Sequence, residues 1–255
     1  MRETRVYPDS EALGEAAAGM VMERVREGIA ARGRAAVVLS GGSTPRETLK
    51  RLVAKVKTGK VPVDRIMWLF GDERWVLPSH GDSNEAMARE TLLSPIGAPE
   101  STILSWNAGS GEPPQCALIY AEKMKESGFD EAPPDIVLLG LGTDGHTASL
   151  FPDATAVLPG GRRLPVSMDL PGKTAAVMRK DGTWRLTLCP SFLSASPLAI
   201  FLVAGREKRE SLERTLGADP SAPASWIRSE RIIFMATRDA LEEGPMDAPA
   251  GVRFV

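Results

Sequence analysis

The chain contains only two imidazoles, His80 and His146, so histidine-based proton transfer near neutral pH has two candidates. His146 lies in LGLGTDGHTASLFP, residues 139–152, with Asp144 two positions before it and Gly140, Gly142 and Gly145 around it. A histidine beside a carboxylate at a glycine-flexed strand end suits general acid or base work; a structural histidine bonded to backbone explains the same residues. The glycines also match G-x-G-x-x-G. A dinucleotide site, however, needs a long helix after the last glycine to meet the pyrophosphate, and Pro152 interrupts first. The match also falls past the middle of the chain rather than in an early β-α-β unit, so the spacing is read as coincidental.

Three other stretches carry candidate chemistry. Ser40-Gly41-Gly42-Ser43-Thr44 follows an apolar run and precedes a helix, so its backbone N–H groups and hydroxyls suit an anion such as phosphate; the alternative is a tight turn with an ordinary cap. It has neither the G-K-[ST] ending of a P-loop nor the G-x-S-x-G of a nucleophile elbow. In Gly71-Asp72-Glu73-Arg74-Trp75, Arg74 suits an oxyanion or phosphate and Asp72 could orient it or move a proton; a surface salt bridge is the competing reading. Downstream, Ser83 reads as a helix cap, and His80 is left between lining the mouth and capping. Lys208, in the first turn of a helix after Gly205, gains nothing from the helix dipole and points either to a phosphate or to plain solvation. Arg185 reads as an outward strand residue or a second anion clamp. Neither histidine has a second histidine or cysteine at ligand spacing, so no metal is expected.

These segments must be held at strand ends. Apolar positions from Leu13 to Ile29 recur at helical spacing after Asp9 and Ser10, and Gly33 supplies a stop. AAVVL (35–39) reads as a buried strand, followed by a helix with Thr44 as N-cap, Pro45 as first residue and Glu47 as capping-box acid. Strand RIMWLF, a helix from near Ser83, strand TILS, a helix from Pro114 to about Glu126 and strand DIVLL continue the alternation. AAVMRKDGTWRLTL predicts a hairpin turning at Asp181 and Gly182, an excursion on the main sheet. LAIFLV, a helix over about 207–216, RIIFMA and a short helix near Asp239 complete it. The pattern predicts an α/β fold: one parallel sheet with helices on both faces, in a single domain over residues 1–255.

Of the 255 residues, 43% are hydrophobic and 25% charged, with a formal net charge of -2. That balance provides no electrostatic footprint for nucleic acid or an anionic membrane, so an anionic ligand must be caught locally. The charged opening MRETRVYPDSEALGE lacks the apolar stretch of a signal peptide, and the longest apolar runs are strand length, which predicts a cytoplasmic protein. Cys116 and Cys189 fit neither a C-x-x-C motif nor a disulfide framework and are expected to be reduced core residues.

Taken in order, LSGGSTP, GDERWV with DSN after it, LGLGTDGHTASLFP, RLTL and GREK resemble the 6-phosphogluconolactonases, within the wider group that includes the glucosamine-6-phosphate deaminases. The resemblance runs from about residue 10 to about residue 240. It implies a modified Rossmann-type sheet, no cofactor, and hydrolysis of 6-phospho-D-glucono-1,5-lactone to 6-phosphogluconate in the pentose phosphate pathway. It implies His146 as the acid–base residue with Asp144 and Asp72 in support, and Arg74 at the tetrahedral intermediate. The phosphate would be held by Gly41, Gly42, Ser43 and Thr44, with Lys208 and Arg185 closing over it. The deaminases carry D-G-H-I-A-F-N-E, whose final glutamate assists ring opening; here Phe151 stands in that place, which favours the lactonase. Gly81 stands where the lactonase pattern has proline, and touches no implied role. A sugar-phosphate sensor is the remaining alternative, disfavoured because the opening residues do not read as a helix-turn-helix.

Overall fold

The computed structural model describes residues 1–158, 160–241 and the backbone of 252–254; the expected domain end at residue 255 lies outside the described residues. The chain opens with β1 (Arg2–Tyr7), which the sequence reading misses because its residues are mostly charged or polar, with no apolar run. Helix α1 (Ser10–Arg32) follows, capped where Asp9 Oδ1 accepts the Ala12 N–H at 2.8 Å and stopped by Gly33 at φ 75°. Its stripe Leu13, Ala17, Val21 and Val25 is fully buried.

Strand β2 (Ala35–Leu39) is buried throughout and leads to α2 (Ser43–Thr58). That helix begins two residues earlier than Thr44 capping would allow. Gly42, at φ 102°, is the N-cap and supplies no side chain, so the first N–H groups lack a side-chain acceptor, while Glu47 pairs with Lys50 and Arg51 instead.

Strand β3 (Ile66–Phe70) runs into β4 (Asp72–Arg74) through Gly71, whose N–H donates to Leu39 O at 2.9 Å and whose carbonyl accepts from Leu188 N at 2.8 Å. The two strands therefore belong to different sheets, with Gly71 as the crossing point. The end of β3 is fixed from below by Trp106 and Tyr120, stacked with centroids 3.7 Å apart: Trp106 Nε1 donates to Phe70 O at 3.1 Å and Tyr120 Oη accepts from Phe70 N at 3.0 Å. Helices α3 (Asn84–Ala88) and α4 (Ser94–Ile96) are joined by a π turn, and Ser83 caps α3 through Ala86 N. The expected strand TILS reduces to a single parallel bridge, Ile103 to Trp68.

Helix α5 (Pro113–Glu126) precedes β5 (Ile136–Gly140). Then come β6 (Thr155–Val157), β7 (Arg163–Pro165), β8 (Thr174–Met178) and β9 (Trp184–Leu188). The predicted hairpin is β8–β9, and it lies at the centre of a separate antiparallel sheet ordered β4-β9-β8-β6-β7 rather than on the main one. Residues 153–165 are too rich in proline, glycine and charge for short edge strands to be legible. Helix α6 (Pro190–Ala195), β10 (Leu198–Val203), α7 (Arg209–Leu216), β11 (Arg231–Thr237) and β12 (Val252–Phe254) complete the chain.

The main sheet is parallel in the order β12-β1-β11-β10-β5-β2-β3. From β2 the chain turns through α2 toward β3, and from the adjacent β5 it leaves in the other direction, toward β10. The loops after β2 and β5 thus part at the carboxyl edge, which is where open α/β sheets form a crevice.

Candidate active site

The segment after β5 builds its turn from glycine. Two backbone bonds close it: Gly142 N donates to His146 O at 2.8 Å, and Gly145 N donates to Gly142 O at 3.1 Å. Gly145 adopts φ 88°, a conformation most side chains avoid. His146 Nδ1 lies 2.5 Å from Asp144 Oδ1, and the same oxygen accepts the His146 backbone N–H at 3.0 Å. Gly142 is required by space rather than by torsion: a Cβ there would sit 2.1 Å from His146 Nδ1 and 2.6 Å from Asp144 Oδ1. Partial burial works against the Asp144 charge, but the hydrogen bonds from the His146 ring and backbone outweigh it and hold its pKa at about 2. The carboxylate is therefore ionised at neutral pH and orients the imidazole with Nε2 as its remaining nitrogen.

Asp72, on β4, is bonded to both neighbouring loops. Oδ2 accepts Ser149 Oγ at 2.7 Å, and Oδ1 accepts Asn84 Nδ2 at 3.1 Å. Ser149 follows His146 on the same turn and is 1% exposed, and its own N–H donates to Thr187 Oγ1 at 3.2 Å. Asn84 packs against Gly41 so closely that a Cβ on Gly41 would lie 1.7 Å from Asn84 Oδ1. The chain of contacts Gly41–Asn84–Asp72–Ser149 joins the turn after β2 to the His146 turn. Sequence reasoning misses Ser149, and it meets Asn84 only as the last residue of DSN. The signal was their position beside candidate acids: DSN ahead of α3 and the serine three residues after His146.

Beside Asp72, Glu73 points to the opposite side of β4 and is 2% exposed. Burial pushes its carboxyl pKa up, against backbone hydrogen bonds from Asn84, Glu85 and Arg74 and the Ser83 hydroxyl. It ties β4 to the start of α3. Arg74 returns to the site side, where Nη1 donates to Asp82 O at 2.6 Å. His80 is half-exposed and bonds locally, its Nδ1 accepting Asp82 N at 3.1 Å. Arg185 stands directly opposite Arg74 across the β4–β9 ladder. Burial, then the Arg179 and Arg74 charges, lower its pKa.

Ser43 and Thr44 open α2 on a cleft of about 1090 Å³ that they share with Gly205 and Thr237, among others. His146 and Arg74 do not line that cleft. Lys208 closes a short 3-10 turn, Arg206–Lys208, and is the residue before α7 rather than a member of its first turn. It is half-buried, and its ammonium has no hydrogen bond or ion pair among the described residues. Its strand β10 and the strand β2 that carries the turn flank β5, but no hydrogen bond or ion pair joins Lys208 to residues 41–44 among the described residues. The geometry thus brings Asp72, Arg74, Asp144, His146, Arg185 and Gly41 together by direct contacts or strand pairing, and leaves Lys208 near them by topology only. Cys116 and Cys189 are both buried free thiols.

Comparison with known proteins matches this frame. A 6-phosphogluconolactonase of Nostoc sp. is 35% identical over 90% of this chain and 93% of its own length. The human 6-phosphogluconolactonase is 34% identical over 83% of this chain and 80% of its own. The crystal structure of a 6-phosphogluconolactonase from Shewanella baltica superposes with a TM-score of 0.78 at 25% identity, covering 93% of this chain and 98% of that one. Residues 8–235 match the family of glucosamine-6-phosphate isomerases and 6-phosphogluconolactonases, and the chain belongs to that family.

Proposed function

We propose that this protein is a 6-phosphogluconolactonase, a hydrolase that opens 6-phospho-D-glucono-1,5-lactone to 6-phosphogluconate in the oxidative pentose phosphate pathway. The observation that carries the reading is the Asp144–His146 pair, on a turn whose Ser149 hydroxyl donates to Asp72. With Nδ1 engaged by an ionised carboxylate, Nε2 takes a proton from water as its oxygen attacks the lactone carbonyl carbon. Arg74 faces the developing oxyanion. As the carbon–ring-oxygen bond breaks, the imidazolium returns the proton to that oxygen, leaving an open-chain acid that ionises. A lactone is an activated ester, so this sequence needs no covalent nucleophile.

The substrate phosphate is assigned to Gly41, Gly42, Ser43 and Thr44, supported by the uncapped start of α2, with Lys208 and Arg185 as cationic partners. Phe151, whose ring centre is 4.4 Å from that of His146, supports the lactonase over ring-opening deamination, because it offers no carboxylate to an amino sugar. The whole chain acts as one domain in this reading, since both sheets contribute to one site. A cytoplasmic location fits its two free cysteines.

The test is lactone hydrolysis by purified protein without added metal or nucleotide, corrected for the spontaneous reaction. Wild type should accelerate it, and His146→Ala should lose about 10²–10⁴-fold in kcat with its fold intact. No acceleration by wild type refutes the function; a fully active His146→Ala refutes the role of the histidine.

A further inference from the structure

The β8–β9 hairpin carries an arginine that the assigned machinery does not use. Arg179 continues the hairpin ladder, its N–H donating to Thr183 O at 3.0 Å. Strand register fixes its side. Arg74 is opposite Arg185, Arg185 is opposite Val177, and Arg179 is two residues beyond Val177. Paired residues, and residues two apart on one strand, share a face. Arg74, Arg185 and Arg179 therefore project from the same face of the antiparallel sheet, together with Asp72, which is two residues before Arg74.

Contacts place the Arg179 head at the site by a second route. Its guanidinium carbon lies 4.9 Å from the centre of the Phe151 ring, and that ring abuts His146. Asp181 Oδ2 pairs with Arg179 Nη1 at 2.8 Å, in a partly exposed bridge that screens its charge only partly. The carboxylates on this side, Asp72 and Asp181, are outnumbered by the guanidiniums of Arg74, Arg179 and Arg185. That face of the antiparallel sheet is thus net positive, while the ionised Asp144 sits on the His146 turn, and the apolar Phe151 ring lies against the Arg179 guanidinium.

We infer that Arg179 is a specificity-determining residue of this site, favouring ligands whose reacting end is or becomes a carboxylate and disfavouring sugar phosphates that carry an ammonium there. The inference rests on the proposed lactonase reading. In that reaction the carbon attacked beside His146 ends as a carboxylate, so a cation one ring away interacts more strongly as negative charge develops. An amino sugar phosphate presents a like charge to the same cation.

The experiment compares wild type, Arg179→Gln and Arg179→Lys, with 6-phosphogluconate and glucosamine 6-phosphate as competitive inhibitors of lactone hydrolysis. Arg179→Gln should weaken 6-phosphogluconate about tenfold while leaving glucosamine 6-phosphate unchanged or tighter, and Arg179→Lys should recover part of the preference. Because both ligands carry the phosphate, an equal loss for both would assign Arg179 to the phosphate and overturn the inference, as would no change for either. If wild type does not hydrolyse the lactone, the functional reading fails by itself. Calorimetric titration of the same two ligands into wild type and Arg179→Gln still decides the inference, by whether their affinity ratio changes.

Discussion

Replacing Gly142 by alanine should abolish most of the activity while hardly touching the fold. The new methyl carbon would lie 2.1 Å from His146 Nδ1, 2.3 Å from Cε1 and 2.6 Å from Asp144 Oδ1, whereas real Cβ contacts essentially never fall below 3.0 Å. The imidazole and its carboxylate must therefore retreat together by nearly 1 Å. Gly142 does not need a left-handed torsion, and His146 and Asp144 are both partly solvent-exposed, so the pair can swing outward without unfolding the strand end. A misplacement of about 1 Å in a catalytic group costs on the order of 10²-fold, or about 2.7 kcal/mol of transition-state stabilisation. Measured as acid release at constant pH with the spontaneous rate subtracted, kcat should fall by about that factor, with KM changing much less. The double variant Gly142→Ala/His146→Ala should be no slower than His146→Ala alone, because both changes remove one function. A Gly142→Ala enzyme within threefold of wild type, or a double variant slower than His146→Ala by the full factor, would refute the argument.

The same spatial logic applies on the other loop, where Gly41→Ala should displace Asn84 from Asp72 and lower kcat/KM at least tenfold. Steady-state kinetics checks this, and near-normal turnover would separate Asn84 from the catalytic geometry. A pH series tests Asp144. Its pKa of about 2 is depressed from the ordinary 3.8, so its contribution to stability is present above that ordinary value and is lost as pH falls toward 2. Urea unfolding at pH 5 should therefore show a deficit for Asp144→Asn, only a few tenths of a kcal/mol for so exposed a group, that narrows below about pH 4. A gap that does not depend on pH would contradict that origin.

Much of the frame was legible because buried parallel strands such as AAVVL and LAIFLV are continuous apolar runs, and because His146 and the acids near it are few. The site was less so. Thr44 reads as a cap because threonine normally is one; a glycine at φ 102° starts α2 two residues earlier. Lys208 reads as helical because its neighbours are helix formers, although the chain first makes a 3-10 turn there. The partners of Asp72 come from segments far apart in sequence, Asn84 and Ser149, and local pattern carries no record of such meetings. Strand β1 was invisible because its stability comes from its neighbours: Arg2 to Tyr7 pair with Ile232 to Thr237.

That pairing sets the order in which the protein can be assembled during synthesis. Strand β1 must wait for a parallel partner that emerges much later, since Arg2 pairs with Ile232. Until then a strand end of polar and charged residues stays solvated rather than sticking to an early partner. Closing the sheet is thus a late, long-range event, and cutting the chain before residue 231 should strand its beginning without a place to dock.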